Sequence, residues 1–356
     1  MKDKRIEILA DILVNYSVKV KKGEIVEIFC EEQGKPLFLE VYKQVLKKEP
    51  KEIIVDIRFP ETREIYFKHA TDSQLKQFPE LAMHIAKNTN VAIQIGAPSN
   101  LKSMSSIDPK KFSTKSKTMQ PLSDYVVKNV RWVLTEYPTQ ALAQEAEMSL
   151  EEFEDFVFSA TNIDWKAMSK EQDKIKKVFD NAKKVRIVGE KTDLTLSLKE
   201  RYAIKGDGSH NMPDGEIFFA PIDNSANGRI TYTYPCIYSG REVNGVCLEF
   251  KNGKVVKATA EKNEPFLLQM LDTDKGARYL GEFGIGTNTS ITKYIKNILF
   301  DEKIAGTIHL ALGMAYEECG GKNKSAIHWD MIKELRTGGA IYVDNKLVQK
   351  DGKWVF

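Results

Sequence analysis

The sequence predicts an α/β N-terminal domain with a mainly parallel sheet over residues 1–184. It predicts a mixed α+β, β-rich catalytic domain over 185–356. Three observations predict this. The chain has 356 residues, and a single core stops growing at about 250–300 residues. Its first half alternates helical and strand periods, which implies a parallel sheet. From about residue 185 the strand period dominates, and Asn252-Gly253 and Asp351-Gly352 each stand between two strand runs, a hairpin signal.

The elements follow in order. Helical spacing over 6–16 leads to the strand run "EIVEIFC", and helical spacing over 36–48 leads to "EIIVDIRF". A helical stretch over 72–88 precedes "VAIQIGA", and "VRWVLTEYP" follows a further helix. No glycine-rich phosphate loop follows any of these strands, so this half offers no nucleotide cradle. "SLEEFEDFVFSA" opens at Ser149 with Glu152 three residues on, the signature of a capped helix. A charged helix over 170–183 then leads into the strand-period run "KVRIVGEKTDLTLSL", which places the domain boundary near 184.

Several function classes are excluded on composition. A net charge of +3, with Lys and Glu interspersed, argues against a nucleic-acid partner. No apolar run is long enough to span a bilayer, and the first twenty residues read as an amphipathic helix rather than a signal peptide, so the expected location is cytoplasmic. Cys30, Cys236, Cys247 and Cys319 are widely separated, which fits neither a disulfide framework nor a zinc ribbon. Cys319 is a candidate pocket residue or a buried thiol.

The chemistry collects in the second half. In "SAIHWDMI", a strand run, successive side chains alternate faces, so His328 and Asp330 share one face while Ile327, Trp329 and Met331 share the other. An imidazole beside a carboxylate offers two metal ligands, or a hydrogen-bonded pair that stiffens a sheet. "HNMPDGEIFFAP" puts Glu216 after a Pro-Asp-Gly turn, and "RYLGEFGIGTN" sets Glu282 among glycines. "LFDEKIAGTIHLALGMAY" supplies Glu302, His309 and Tyr316. Singly, Glu216 reads as a turn acid, Glu282 as a surface residue, His309 as a core histidine and Tyr316 as packing. Together they place three glutamates, two histidines and an aspartate in or beside apolar segments. Converging buried carboxylates need cations. Carboxylates and imidazoles without thiolates suit zinc, cobalt or manganese, and six such ligands fit two ions rather than one.

These motifs, in this order, resemble those of the thermophilic-type metalloaminopeptidases, the aminopeptidase T and aminopeptidase S family. The resemblance is close over most of 185–356 and general in the first half. It implies a metal site of Glu216, Glu282, Glu302, His309, His328 and Asp330, with Tyr316 beside it. Six residues separate Glu302 from His309, two more than the family spacing. The expected cofactors are two divalent ions (zinc, cobalt, manganese or magnesium), and the expected activity is release of N-terminal residues from short peptides by a metal-activated water. Glu282 is expected to act as general base and Tyr316 to stabilise the oxyanion. Relatives of this kind form dimers, so a homodimer is expected. A metal-stabilised binding or scaffold protein is the alternative. A two-metal phosphoesterase would need basic residues such as Arg278 and Lys303 near the ligands, and His210 is a candidate pocket or loop residue.

Overall fold

The computed structural model describes residues 3–180, 182–238 and 240–356. They divide into two compact units. The first runs to Ile163 and also takes Gly208–Pro213; the second comprises Asp164–Asp207 and Asp214–Phe356.

The first unit is a parallel sheet with helices between its strands, as the alternating pattern predicts. Its strands are β1 (Ile25–Glu31), β2 (Glu52–Arg58), β3 (Val91–Gly96) and β4 (Arg131–Glu136), in the order β2-β1-β3-β4, with the short Asn211–Met212 strand parallel to β4. β1 buries Val26, Ile28 and Cys30 completely, every second residue, as strand alternation requires. Helix α1 (Lys35–Leu46) carries Pro36 in its first turn and buries Leu37, Val41 and Val45, a four-residue spacing along one face. The stretch expected to be one helix over 72–88 is two, Asp72–Lys76 and Glu80–Asn88. Pro79 stands between them; it has no N–H for a helical bond and biases the residue before it away from the helix. Helix α2 (Leu150–Thr161) has the expected capping box: Glu152 N donates to Ser149 Oγ (3.3 Å) and Ser149 N donates to Glu152 Oε2 (2.9 Å).

The division falls at Ile163/Asp164 rather than near 184. Helix α3 (Trp165–Phe179) buries Ile175 and Phe179 in the second unit's core, where the Phe179 ring meets Phe219 at 5.7 Å and Phe283 at 6.2 Å. Residues 208–213 leave that unit to pair with β4: Leu134 N donates to His210 O (2.8 Å) and Thr135 Oγ1 to Met212 O (2.7 Å).

The second unit is built on two antiparallel sheets. One has eight strands and contains both expected hairpins, Cys247–Lys251 with Lys254–Thr259 and Lys346–Lys350 with Lys353–Trp354. The central residues of both turns take positive φ, +51° and +82° at Asn252-Gly253 and +48° and +70° at Asp351-Gly352, the geometry that suits a tight hairpin. The other sheet has five strands: β5 (Ile204–Gly206), β6 (Glu216–Phe219), β7 (Leu280–Gly286), β8 (Thr307–Gly313) and β9 (His328–Glu334), in the order β9-β8-β7-β6-β5. One core joins them, including Ile187, Leu194 and Leu248 of the first sheet and Phe283, Leu310 and Trp329 of the second. Full burial of each such side chain contributes roughly 1.5–3 kcal/mol. Among the described residues, no helix is long and apolar enough to cross a membrane.

Candidate metal centre

The five-stranded sheet has two unlike faces. Ile217, Phe283, Ile285, Leu310, Trp329 and Met331 turn into the core. The intervening positions carry Glu216, Glu282, His309, His328 and Asp330. Register brings these together: Glu216 lies across from Gly286, Gly284 from His309, Ala311 from both Glu282 and Asp330, and Gly313 from His328. The polar face is thus acids and histidines separated by glycines and an alanine. The small residues make room: a Cβ on Gly284 would sit 1.8 Å from His309 Nε2. Leu280 and Phe283 both join the core although three residues apart, because the strand bulges between Leu280 and Glu282. Gly281 permits the bulge, since a Cβ there would meet Met314 O at 2.1 Å. Replacing Gly284 with alanine should displace the His309 ring and lower metal content at least tenfold while the core stays intact; unchanged metal binding by the folded variant would contradict this placement.

Glu302 comes from outside the sheet, just after the one-turn helix α4 (Ile298–Asp301). The buried Asp301 carboxylate accepts from Ile295 N and Asn297 N, both at 2.7 Å, which fixes the approach to Glu302. Asn288, fully buried, ties this segment to the turn before Glu216. Its N donates to Lys303 O (3.0 Å), its Nδ2 donates to Asp214 O (2.9 Å), and its own carbonyl accepts from Ala305 N (3.2 Å). The long Glu302–His309 spacing is therefore taken up in a turn that still brings Glu302 to His309.

The six expected ligands form two groups, Glu216 with Glu302 and His309, and Glu282 with His328 and Asp330, the donor atoms within each group all within 4.8 Å of one another. Glu282 and His309 join the groups. Glu282 Oε1 lies 3.0 Å from His309 Nε2 and its Oε2 lies 3.4 Å from His328 Nε2. Glu216 Oε2 is 3.0 Å from the same His309 nitrogen, and Asp330 Oδ2 is 3.5 Å from His328 Nε2. His328 Nδ1 donates to Met314 O (2.8 Å), which turns Nε2 toward Glu282 and Asp330. The Tyr316 ring packs at a tilt against His328, ring centres 5.1 Å apart, and against Phe218 at 5.7 Å.

Proton affinities in this cluster are set by burial against charge. Burial would raise Glu282, but the hydrogen bonds with His309 and His328 outweigh it and hold the carboxyl at about 2. Burial likewise opposes the ionised form of Glu216, yet Lys303 and His309 hold it low. Glu302 is pushed up to about 8 by burial, with Glu216 and Asp330 adding to the rise against Lys303. Asp330 is raised by burial despite His328. His328 rises to about 10 because Asp330 and Glu282 outweigh its desolvation, and His309 rises for the same kind of reason. Desolvation first, then the Glu282 and Asp330 carboxylates, keep the Tyr316 hydroxyl protonated.

Over residues 2–354 the chain matches the family of thermophilic metalloproteases, M29. It belongs to that family. Among its relatives, aminopeptidase 2 of Geobacillus stearothermophilus is 28% identical, over 99% of this chain and 98% of that one. Aminopeptidase T of Thermus aquaticus is 30% identical over 56% of this chain and 58% of its own length. The solved structure of wild-type AmpT from Thermus thermophilus superposes with a TM-score of 0.88, at 21% identity and with 99% of each chain covered, which shows the same fold. The two-part architecture expected from the sequence is thus the fold of the M29 chain.

A metalloprotease family implies a divalent metal, and the M29 chain's own residues fit one. The donor set is oxygen and imidazole nitrogen without thiolate. Asp330 Oδ1 is buried without a hydrogen bond, and buried Glu216 Oε2 has only the His309 ring nitrogen at 3.0 Å, so a cation would satisfy both oxygens.

Other candidates lie elsewhere. His210 packs on Trp132 in the first unit, ring centres 4.9 Å apart, and is not among the clustered donors. Arg278 is engaged with Asp272 at 2.7 Å. Cys319 is buried with Ala220 and Ala315, and burial pushes its thiol up to about 12. Lys303, which the sequence offers only as a basic residue that a phosphoesterase would need, is fully buried, 3.5 Å from Glu216 Oε1 and paired with Glu302. A lysine following a buried acid gives no signal of that kind without the fold.

Proposed function

We propose that this M29 chain is an aminopeptidase that removes N-terminal residues from short peptides at a centre of two divalent cations. The observation that carries the reading is Glu282, whose two carboxylate oxygens face two different histidines, one from each donor group. A carboxylate so placed suits a ligand shared by two ions. Charge supports the same count. Once bound cations displace the protons of the histidines and of Glu302, the four carboxylates of the cluster outnumber the Lys303 ammonium by three. One divalent ion leaves the site anionic; two leave a positive charge to stabilise an oxyanion. The names of its relatives, aminopeptidases 2 and T, point to the same activity.

Glu216 and His309 would hold one cation, His328 and Asp330 the other, with Glu282 between them. Zinc, cobalt, manganese or magnesium bound there would polarise the scissile carbonyl and acidify a water. Glu282, expected from the sequence to be the base, has both oxygens committed, so the proton acceptor assigned here is Glu302. Its carboxylate enters from α4 rather than from the sheet and is steadied by Lys303. It would take a proton from the attacking water and return it to the leaving amine. Tyr316, held protonated, would donate to the oxyanion. A free amino terminus offers a lone pair or a charge for a cation or a carboxylate to hold, which a blocked one lacks. The test is amino-acid release from a leucyl peptide with and without N-acetylation, in added cobalt or zinc. Release from the free peptide alone, abolished by chelation, is expected. Binding of metal with no release from any unblocked peptide would favour the scaffold reading.

We also infer a homodimer. Trp354 packs on Phe179 within its own unit, but Val355 and Phe356 each remain 50% exposed, and no side chain of the 21-residue helix Pro109–Asn129 is fully buried. Light scattering after size exclusion should give about twice the chain mass at micromolar concentration; a chain-sized species of 40.4 kDa would contradict the dimer. Four free cysteines, three of them buried, fit a reducing, cytoplasmic setting.

A further inference from the structure

The two donor groups are alike in ligands but not in charge. Among the described residues, Glu282, His328 and Asp330 form no ion pair with a lysine or arginine, whereas Glu216 and Glu302 share the Lys303 ammonium, which has no solvent exposure. Lys303 already supplies a positive charge to two of the three donors in its group. We propose that Lys303 is a built-in cation that makes the two metal positions unequal: the position formed by Glu216 and His309 binds its ion more weakly, and the one formed by His328 and Asp330 fills first.

The physical reason is twofold. A divalent ion entering beside Glu216 must share that carboxylate with an ammonium a few ångströms away, in a desolvated setting where like charges repel strongly. In return, the ammonium keeps the metal-free group from collapsing, because Glu216 and Glu302 would otherwise be buried together without compensation. The Lys303 ammonium has no path to solvent, since its side chain is completely buried between Glu216 and Glu302, and the backbone that carries it is anchored by the bond from Asn288 N to its carbonyl. The outcome is a centre that keeps one ion firmly and exchanges the other, so that catalytic readiness follows the free metal concentration. Lys303 is a positioning residue in this account; it touches the acids and not the reacting atoms.

This rests on the two-cation reading given above, and the experiment separates the two. Metal-free protein is titrated with Co2+ against a competing chromophoric chelator, and the visible spectrum of bound cobalt is followed. Two steps separated by at least about tenfold in affinity are expected in the unaltered protein. Lys303→Met should tighten the second step by about tenfold or more and leave the first unchanged, while Lys303→Arg should retain the original gap. If Lys303→Met does not fold without metal, it is prepared loaded and stripped with chelator; its second ion should then survive chelator that removes the second ion of the unaltered protein. Two equal steps in the unaltered protein, or a second step weakened or lost in Lys303→Met, overturn the proposal but leave the two-cation reading standing. Absence of any second step in all three proteins overturns both.

Discussion

Glu282→Gln should reduce kcat/KM by at least about a thousandfold and lower metal content from two ions to one or fewer. The amide keeps size and one acceptor, but it removes the negative charge that faces His309 at 3.0 Å and His328 at 3.4 Å. Both positions lose a ligand at once, so added cobalt should restore little activity. The variant should fold, because the apolar face of β7, with Phe283 and Ile285, is untouched. Metal analysis of the purified variant, alongside its steady-state kinetics, is the check. Two tightly held ions with only KM raised would make Glu282 a substrate-orienting residue and not a shared ligand.

Glu302→Gln should behave differently. Here kcat should fall by about 100- to 10,000-fold, with KM changed only a few-fold and both ions retained. The contrast arises because Glu302 lies at the end of α4, next to the cluster but off its sheet face, and answers to Lys303. Loss of an ion in this variant would return Glu302 to the ligand set that sequence resemblance implied, and a kcat within tenfold of the original would remove it as proton acceptor.

Much of this was legible in the sequence, for identifiable reasons. The hairpins at Asn252-Gly253 and Asp351-Gly352 could be read because their turn requires positive φ at both centres, which few residues accept. The shared face of His328 and Asp330 followed from strand alternation alone, and the register of β9 against β8 places both beside Ala311 and Gly313. The break between units was less legible. Helix α3 has the same charged, amphipathic texture whichever core it joins, and only the contacts of Phe179 decide. The return of residues 208–213 to the first unit is a long-range pairing with no local signature. Roles within the cluster were the least legible. Glu282 and Glu302 are both glutamates beside small or apolar residues in sequence. The bulge at Gly281 aims one between two histidines, and α4 brings the other in beside Lys303.

The central claim is that Glu282 lies between two cations. Anomalous diffraction from crystals grown in zinc or cobalt tests it most directly. The account predicts two peaks about 3.5–4 Å apart, one near His309 and Glu216 and the other near His328 and Asp330, each within bonding distance of a different Glu282 oxygen. A single peak at saturating metal, or two peaks with Glu282 bound to neither or to one alone, would contradict it.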